Sequence, residues 1–201
     1  MSAYEVDYIS RQQGLLCADC KANLRSMALA NGLCRIYDHD GLFEKLVQGD
    51  ILRRMRILEI NEAGTLTPYL SQIPGYVFGS YPALDMMDMS QFAEGSFDLI
   101  VHSDTLEHVT DPVRALSECR RILSKGGFCC FTVPVVVDRM TISRAGMPKS
   151  YHGPQDSRLE DFCVFTEYGC DFWKHPVLAG FRETRLAVLE YPSALALACR
   201  K

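Results

Sequence analysis

Apolar positions along this chain fall into short continuous runs separated by helical stripes. Phe97 to His102 is an apolar run bounded by polar residues, which predicts a strand buried on both faces. Asp111-Pro112 opens a helix: Asp111 or Thr110 can cap it, and a proline in the first turn loses no hydrogen bond. Val113, Leu116, Cys119 and Leu123 recur at helical spacing toward the sheet, while Arg114, Arg120 and Arg121 fall outside that stripe. Gly126-Gly127 is expected to end the helix, and Phe128 to Val133 returns as a second buried strand. Two buried strands joined by a helix should be parallel, with a right-handed crossover. Ser96 to Pro134 is therefore one βαβ unit of an open α/β sheet.

The same patterning extends outward from this unit. Ile57 to Ile60 reads as a strand leading into the turn Asn61-Glu62-Ala63-Gly64-Thr65 and a helix start. Nucleotide and nucleoside binders place closely spaced glycines in such a turn so that the backbone can approach the ligand. Gly75 to Tyr81 predicts a second strand, and Leu84 to Met89 a short third one. Binders of a ribose usually put a carboxylate after the second strand. This chain offers Ser80 and Tyr81 there, with Asp85 the first carboxylate downstream. Residues 135–165 lack periodicity and read as a lid whose polar contacts are Tyr151, His152 and Asp156. Thr166 to Leu178 reads as a helix, and Thr184–Glu190 with Ala194–Cys199 as a closing antiparallel pair.

Residues 1–50 read as a mostly helical preface, and 51–201 as the sheet-bearing domain of one compact body. Within the preface, Leu24, Met27 and Ala28 form a stripe that Gly32 should end. Cys17 and Cys20 form a CxxC, and Cys34 and His39 follow it, so a C-x2-C-x13-C-x4-H zinc set can be written. Two other readings stand beside it: small thiols at a loop-to-helix turn, or a redox pair. No metal site is assigned.

Composition narrows the classes of function. The chain has 201 residues, 48% of them hydrophobic, enough for one sizeable core. A net charge of -4 leaves no basic footprint, which disfavours nucleic acid as the main partner. No apolar run approaches the roughly 20 residues of a membrane span. Nine cysteines behind the polar start MSAYEVDYISRQQG suggest reduced thiols in the cytoplasm. Adjacent Cys129 and Cys130 should point to opposite faces of their strand, which disfavours a bridge between them.

Four stretches together resemble the class I S-adenosylmethionine-dependent methyltransferases, in particular the small-molecule group with an LEHV loop. RILEINEAGTLTPYL is similar to the family's glycine motif. ALDMMDMSQFAEGSFDLIVHSDTLEHVTDP is similar to its adenine loop and fourth strand. RRILSKGGFCCFTVP is similar to its fifth-strand turn, with Ser124-Lys125 where Lys-Pro is usual, and GFRETRLAVLEYPSALALACRK to its terminal strand pair. The preface resembles the cysteine-bearing leader of some bacterial members. The family's glycines are replaced at Asn61, Ala63 and Thr65, and its acid after the second strand has no match at Ser80-Tyr81.

The resemblance implies an α/β, Rossmann-like doubly wound, mostly parallel sheet with a terminal antiparallel strand pair. It implies S-adenosylmethionine as cofactor and a small-molecule or glycan- or lipid-linked acceptor. It also implies that Glu59 organises the cofactor turn and that Asn61, Ala63 and Gly64 lie against the amino-acid end. Asp88 and Met89 would flank the adenine, and Ser103 would reach the methionine portion. His108 is the candidate catalytic base, with Asp104 and Glu107 read as loop-capping groups. The rival reading is a non-catalytic relative whose pocket Glu62 or Tyr81 blocks.

Overall fold

A computed structural model describes residues 11, 14, 16–151 and 160–201. The candidates His152 and Asp156 lie outside the described residues. In chain order come α1 (Leu24–Ile36), α2 (Phe43–Gln48), α3 (Asp50–Arg53), β1 (Ile57–Ile60), α4 (Thr67–Leu70), β2 (Tyr76–Gly79) and β3 (Phe97–Ser103). Then follow α5 (Pro112–Ile122), β4 (Leu123–Thr132), β5 (Val135–Val136), β6 (Ile142–Ser143), β7 (Thr166–Gly169), α6 (Lys174–Leu178), β8 (Glu183–Leu189) and β9 (Ala194–Arg200). Among the described residues, six strands form a sheet in the order β2-β1-β3-β4-β9-β8. β2, β1, β3 and β4 run parallel, and β9 pairs antiparallel with both β4 and β8. This is the doubly wound α/β sheet with a terminal antiparallel pair that the sequence implies.

Strand alternation sorts the core into two layers. Leu58, Ile60, Ile100, Cys129, Phe131, Leu195 and Leu197 pack on one face with Leu116, Cys119 and Ile122 of α5. Ile57, Leu99, Val101, Cys130, Ala196 and Ala198 pack on the other with Ala28, Leu29 and Leu33 of α1. Cys129 and Cys130 thus face opposite layers. Small side chains on the second face let α1 approach closely: a Cβ on Gly32 would stand 3.5 Å from Ala187 Cβ and 3.8 Å from Ala196 Cβ. Gly32 therefore sits within α1 as a packing residue, and the helix continues to Ile36 instead of ending at the glycine.

Three further expectations are corrected. The glycine pair does not end α5. That helix stops at Ile122, Leu123 already pairs with Phe97, and Leu99 pairs with Phe128, so the strand bulges across Ser124–Gly127. Gly126 takes φ +80 in this bulge, and a Cβ on Gly127 would meet Asp98 O at 2.8 Å. Leu84 to Met89 forms no strand; a single Asp85–Asp88 bridge closes a turn instead. Thr166 to Gly169 is a strand, leaving only Lys174–Leu178 helical. Its strand β7 pairs with β5 and β6 in a small second sheet, giving the 135–165 region more order than its composition suggests. Phe165 N–H donates to Glu107 O at 2.8 Å, which docks this sheet on the loop after β3.

Candidate active site

β1 and β3 both end in a residue with a left-handed backbone: Asn61 at φ 55 and Asp104 at φ 45. Asn and Asp tolerate that region because their short polar side chains bond locally. Asn61 Nδ2 donates to Thr105 Oγ1 at 3.3 Å, and Tyr81 N–H donates to Asn61 Oδ1 at 3.3 Å. One side chain therefore ties together the loops after β1, β2 and β3. Above them lies a cavity of about 590 Å³. Its floor includes Ile60, Asn61, Ser103 and Asp104; Tyr81 and Leu84 to Met87 line it, as do Asp161, Phe162 and Phe165 beside the second sheet.

Glu59 is fully buried beside this floor. Its carboxylate accepts from Ala63 N–H at 2.7 Å, Thr67 Oγ1 at 2.5 Å and Tyr76 Oη at 2.7 Å. Three donors repay the desolvation of one charge and fix the course of residues 61–67. Burial, and then the bond to Glu59, push the Tyr76 phenol up. Gly64 takes φ +60, and Thr65 N–H donates to Ser26 Oγ of α1 at 3.3 Å. Ala63 is buried in the core.

The cavity wall near Asp104 holds a charged cluster. Arg25 of α1 is ion-paired with the Asp104 carboxylate, their side chains 16% and 15% exposed. Burial lowers the Arg25 guanidinium from its usual value, while Glu107 acts to raise it. Burial pushes the Glu107 carboxyl up, partly offset by His108 and Arg25. His108 Nδ1 lies 3.0 Å from Cys163 O, and a carbonyl only accepts, so Nδ1 carries the proton. Nε2 lies 3.7 Å from Glu107 Oε1.

The structure brings Asn61, Ser103 and His108 together at the cavity. Glu59, Ala63 and Gly64 stand behind the turn and shape it without lining the space. Asp88 and Met89 do not reach it: Asp88 is exposed and accepts Ser90 N–H, while Met89 is buried in the core with its N–H bound to Glu118. The corresponding stretch of wall is Asp85-Met86-Met87, because the turn places those residues inward. Glu62 and Tyr81 border the cavity and leave it open. Sequence reasoning missed Arg25, since an arginine in an amphipathic helix looks like any solvated one until the tertiary contact forms.

The zinc set is not gathered. Cys34 is buried with Sγ 3.8 Å from Gly41 O, His39 Nε2 is 3.2 Å from Leu42 O, and Cys20 is exposed. Among the described residues, no group of three or more His, Cys, Asp or Glu is arranged to hold a metal ion.

Residues 71–131 match a family described as Methyltransferase domain. That segment runs from the end of α4 into β4, and includes Asp85–Met87, Ser103–Thr105 and His108. Among solved structures, a similar one is a methyltransferase from Thermotoga maritima, described as S-adenosylmethionine-dependent and a possible histamine N-methyltransferase. It aligns at TM-score 0.50 and 15% identity, over 88% of this chain and 89% of that one. The DszA carbon methyltransferase aligns at TM-score 0.51 and 13% identity, over 88% of this chain and 53% of that one. The chain carries the class I S-adenosylmethionine-dependent methyltransferase fold. No curated protein sequence matches it. Within this methyltransferase fold, the cavity occupies the crevice at the carboxyl ends of the parallel strands, where open α/β sheets bind their ligands. Among the described residues, no helix is long and apolar enough to cross a membrane.

Proposed function

We propose that this chain transfers the methyl group of S-adenosylmethionine to a small-molecule or glycan- or lipid-linked acceptor. The observation that carries the reading is the open cavity of about 590 Å³ at the ends of β1 and β3. Its size suits a nucleoside ligand with room for an acceptor, and its wall mixes apolar Ile60, Leu84 and Met86 with a few polar groups, as ligand sites do. A pocket blocked by Glu62 or Tyr81, the mark of a non-catalytic relative, is not what the chain has.

The fit of residues to cofactor follows from that geometry. Asp85 to Met87 would border the adenosine end, and Asn61 with Ser103 the methionyl end. S-adenosylmethionine, when bound, supplies an electrophilic methyl on sulfur. Holding donor and acceptor in line then accounts for much of the acceleration. Where the acceptor is a hydroxyl or an ammonium, His108 Nε2 takes its proton, and Glu107 beside it stabilises the resulting imidazolium. The cytoplasmic setting suggested by nine cysteines belongs to the same reading.

Calorimetric titration with S-adenosylhomocysteine tests it. One-to-one binding is the expected result. No heat and no thermal shift at millimolar ligand overturns the reading.

A further inference from the structure

A thiol exchanges readily with disulfides when it is accessible, stabilised as thiolate and close to a second thiol that can resolve the mixed disulfide. The turn that precedes α1 meets all three conditions. Cys17 is half-buried and Cys20 exposed, whereas six of the nine cysteines are buried. The Cys17 sulfur accepts from the N–H groups of Cys20 and Asp19 and from the Cys20 thiol. Those donors outweigh burial and the Asp19 charge, and they hold the Cys17 thiol below its usual value.

The backbone fixes this arrangement. Cys17 N–H donates to Ala22 O at 2.9 Å, Lys21 N–H donates to Cys17 O at 3.1 Å, and Leu16 bridges Asn23. Lys21 takes a left-handed φ of 59, and its Nζ donates to Ala18 O at 2.7 Å across the turn. A disulfide needs Cα atoms about 4.4–6.8 Å apart, and the ends of a four-residue turn lie within about 7 Å. Asn23 then caps α1, accepting Ser26 N–H at 2.8 Å, so the pair sits on an anchored loop. Among the described residues, no third His, Cys, Asp or Glu joins the two thiols to hold a metal ion. Exchange, unlike coordination, needs only the two.

We propose that Cys17 and Cys20 form a dithiol–disulfide exchange site for low-molecular-weight disulfides of the glutathione class. The Cys17 thiolate attacks one sulfur of the disulfide; that S–S bond breaks, a mixed disulfide forms on Cys17, and the first thiolate leaves. Cys20 gives its proton to solvent, attacks the Cys17 sulfur and expels the second thiolate, which closes the Cys17–Cys20 bond. Two electrons pass to the substrate, and two protons, one from each cysteine, complete the two released thiols. Neither cysteine lines the cavity, and the proposal does not rest on methyl transfer.

The experiment exposes reduced wild type, Cys17→Ser and Cys20→Ser to glutathione disulfide, quenches with an alkylating reagent and reads the tryptic peptide of residues 12–21 by mass. Wild type should close an internal disulfide in that peptide, reversed by excess reduced glutathione. Cys20→Ser should stop with one glutathione on Cys17, and Cys17→Ser should react about 10-fold more slowly. Exposed Cys170, its sulfur 3.6 Å from the Met140 thioether, is the reference thiol in the same digest. Modification of Cys17 no faster than of Cys170 overturns the proposal, and wild type alone decides this should a serine variant fail to fold. Glutathione on both cysteines without an internal bond overturns it too, as does zinc that co-purifies and shields both thiols.

Discussion

Ser26 Oγ stands 2.5 Å from where a Cβ on Gly64 would lie, and it accepts Thr65 N–H at 3.3 Å. The turn after β1 holds a single glycine, and α1 leans against it.

Gly64→Ala should therefore destabilise the fold in two separable ways. The left-handed backbone at φ +60 costs an alanine about 1–2 kcal/mol. Displacing Ser26 adds to that. In a Gly64→Ala background, Ser26→Ala removes the collision, so a urea-denaturation cycle should show favourable coupling of at least about 0.5 kcal/mol. Strictly additive losses would show that the two residues do not press on each other.

Glu59→Gln puts an amide donor where three groups donate to a buried carboxylate. The expected loss is roughly 2–3 kcal/mol in chemical denaturation. A variant as stable as wild type would mean that the network does not anchor the turn.

His102 is fully buried, stacked 4.8 Å from Phe131, and among the described residues neither ring nitrogen has a hydrogen-bond partner. Burial pushes its pKa down from 6.5 to about 3. The folded state thus stays neutral while the unfolded state takes up a proton below 6.5. The stability carried by the neutral ring is complete above that pH and declines as pH falls toward 3. The slope is about 1.4 kcal/mol per pH unit, hence roughly 2 kcal/mol between about pH 6.5 and pH 5. His102→Leu should remove that share of the pH dependence. Parallel stability curves for the two proteins would sink the prediction.

Thiol titration separates the cysteines by burial. Cys20 and Cys170 are exposed and Cys17 half-buried, while Cys34, Cys119, Cys129, Cys130, Cys163 and Cys199 are buried. The Cys20 and Asp19 N–H groups pull the Cys17 thiol below its usual value, so it should react fastest. Burial pushes Cys129 and Cys130 well up. Native protein should release three equivalents of chromophore from an aromatic disulfide reagent, and all nine after denaturation. Rapid modification of the β4 pair in native protein would contradict the packing.

Much of the fold was legible locally. The apolar run Phe97–His102, the Asp111-Pro112 start of α5 and the return at Phe128 depend on neighbours in sequence, so periodicity and capping reveal them. Asp111 does cap α5, accepting Arg114 N–H at 3.0 Å. Elements whose state depends on distant partners were misread. Thr166–Gly169 is a strand because β5 and β6 flank it, and Gly32 continues a helix because Ala187 and Ala196 leave it room.

The site divides in the same way. Sequence alone determined the turn after β1, its organising Glu59 and the loop bearing His108, since each is a short motif whose chemistry travels with its residues. Only the tertiary structure decided that Asp85–Met87, and not Asp88–Met89, face the cavity, because the direction of a turn depends on what anchors it. It alone brought Arg25, 79 positions away in sequence, against Asp104. No local pattern encodes that pairing: it follows from the packing of α1 on a sheet assembled from residues that come after it.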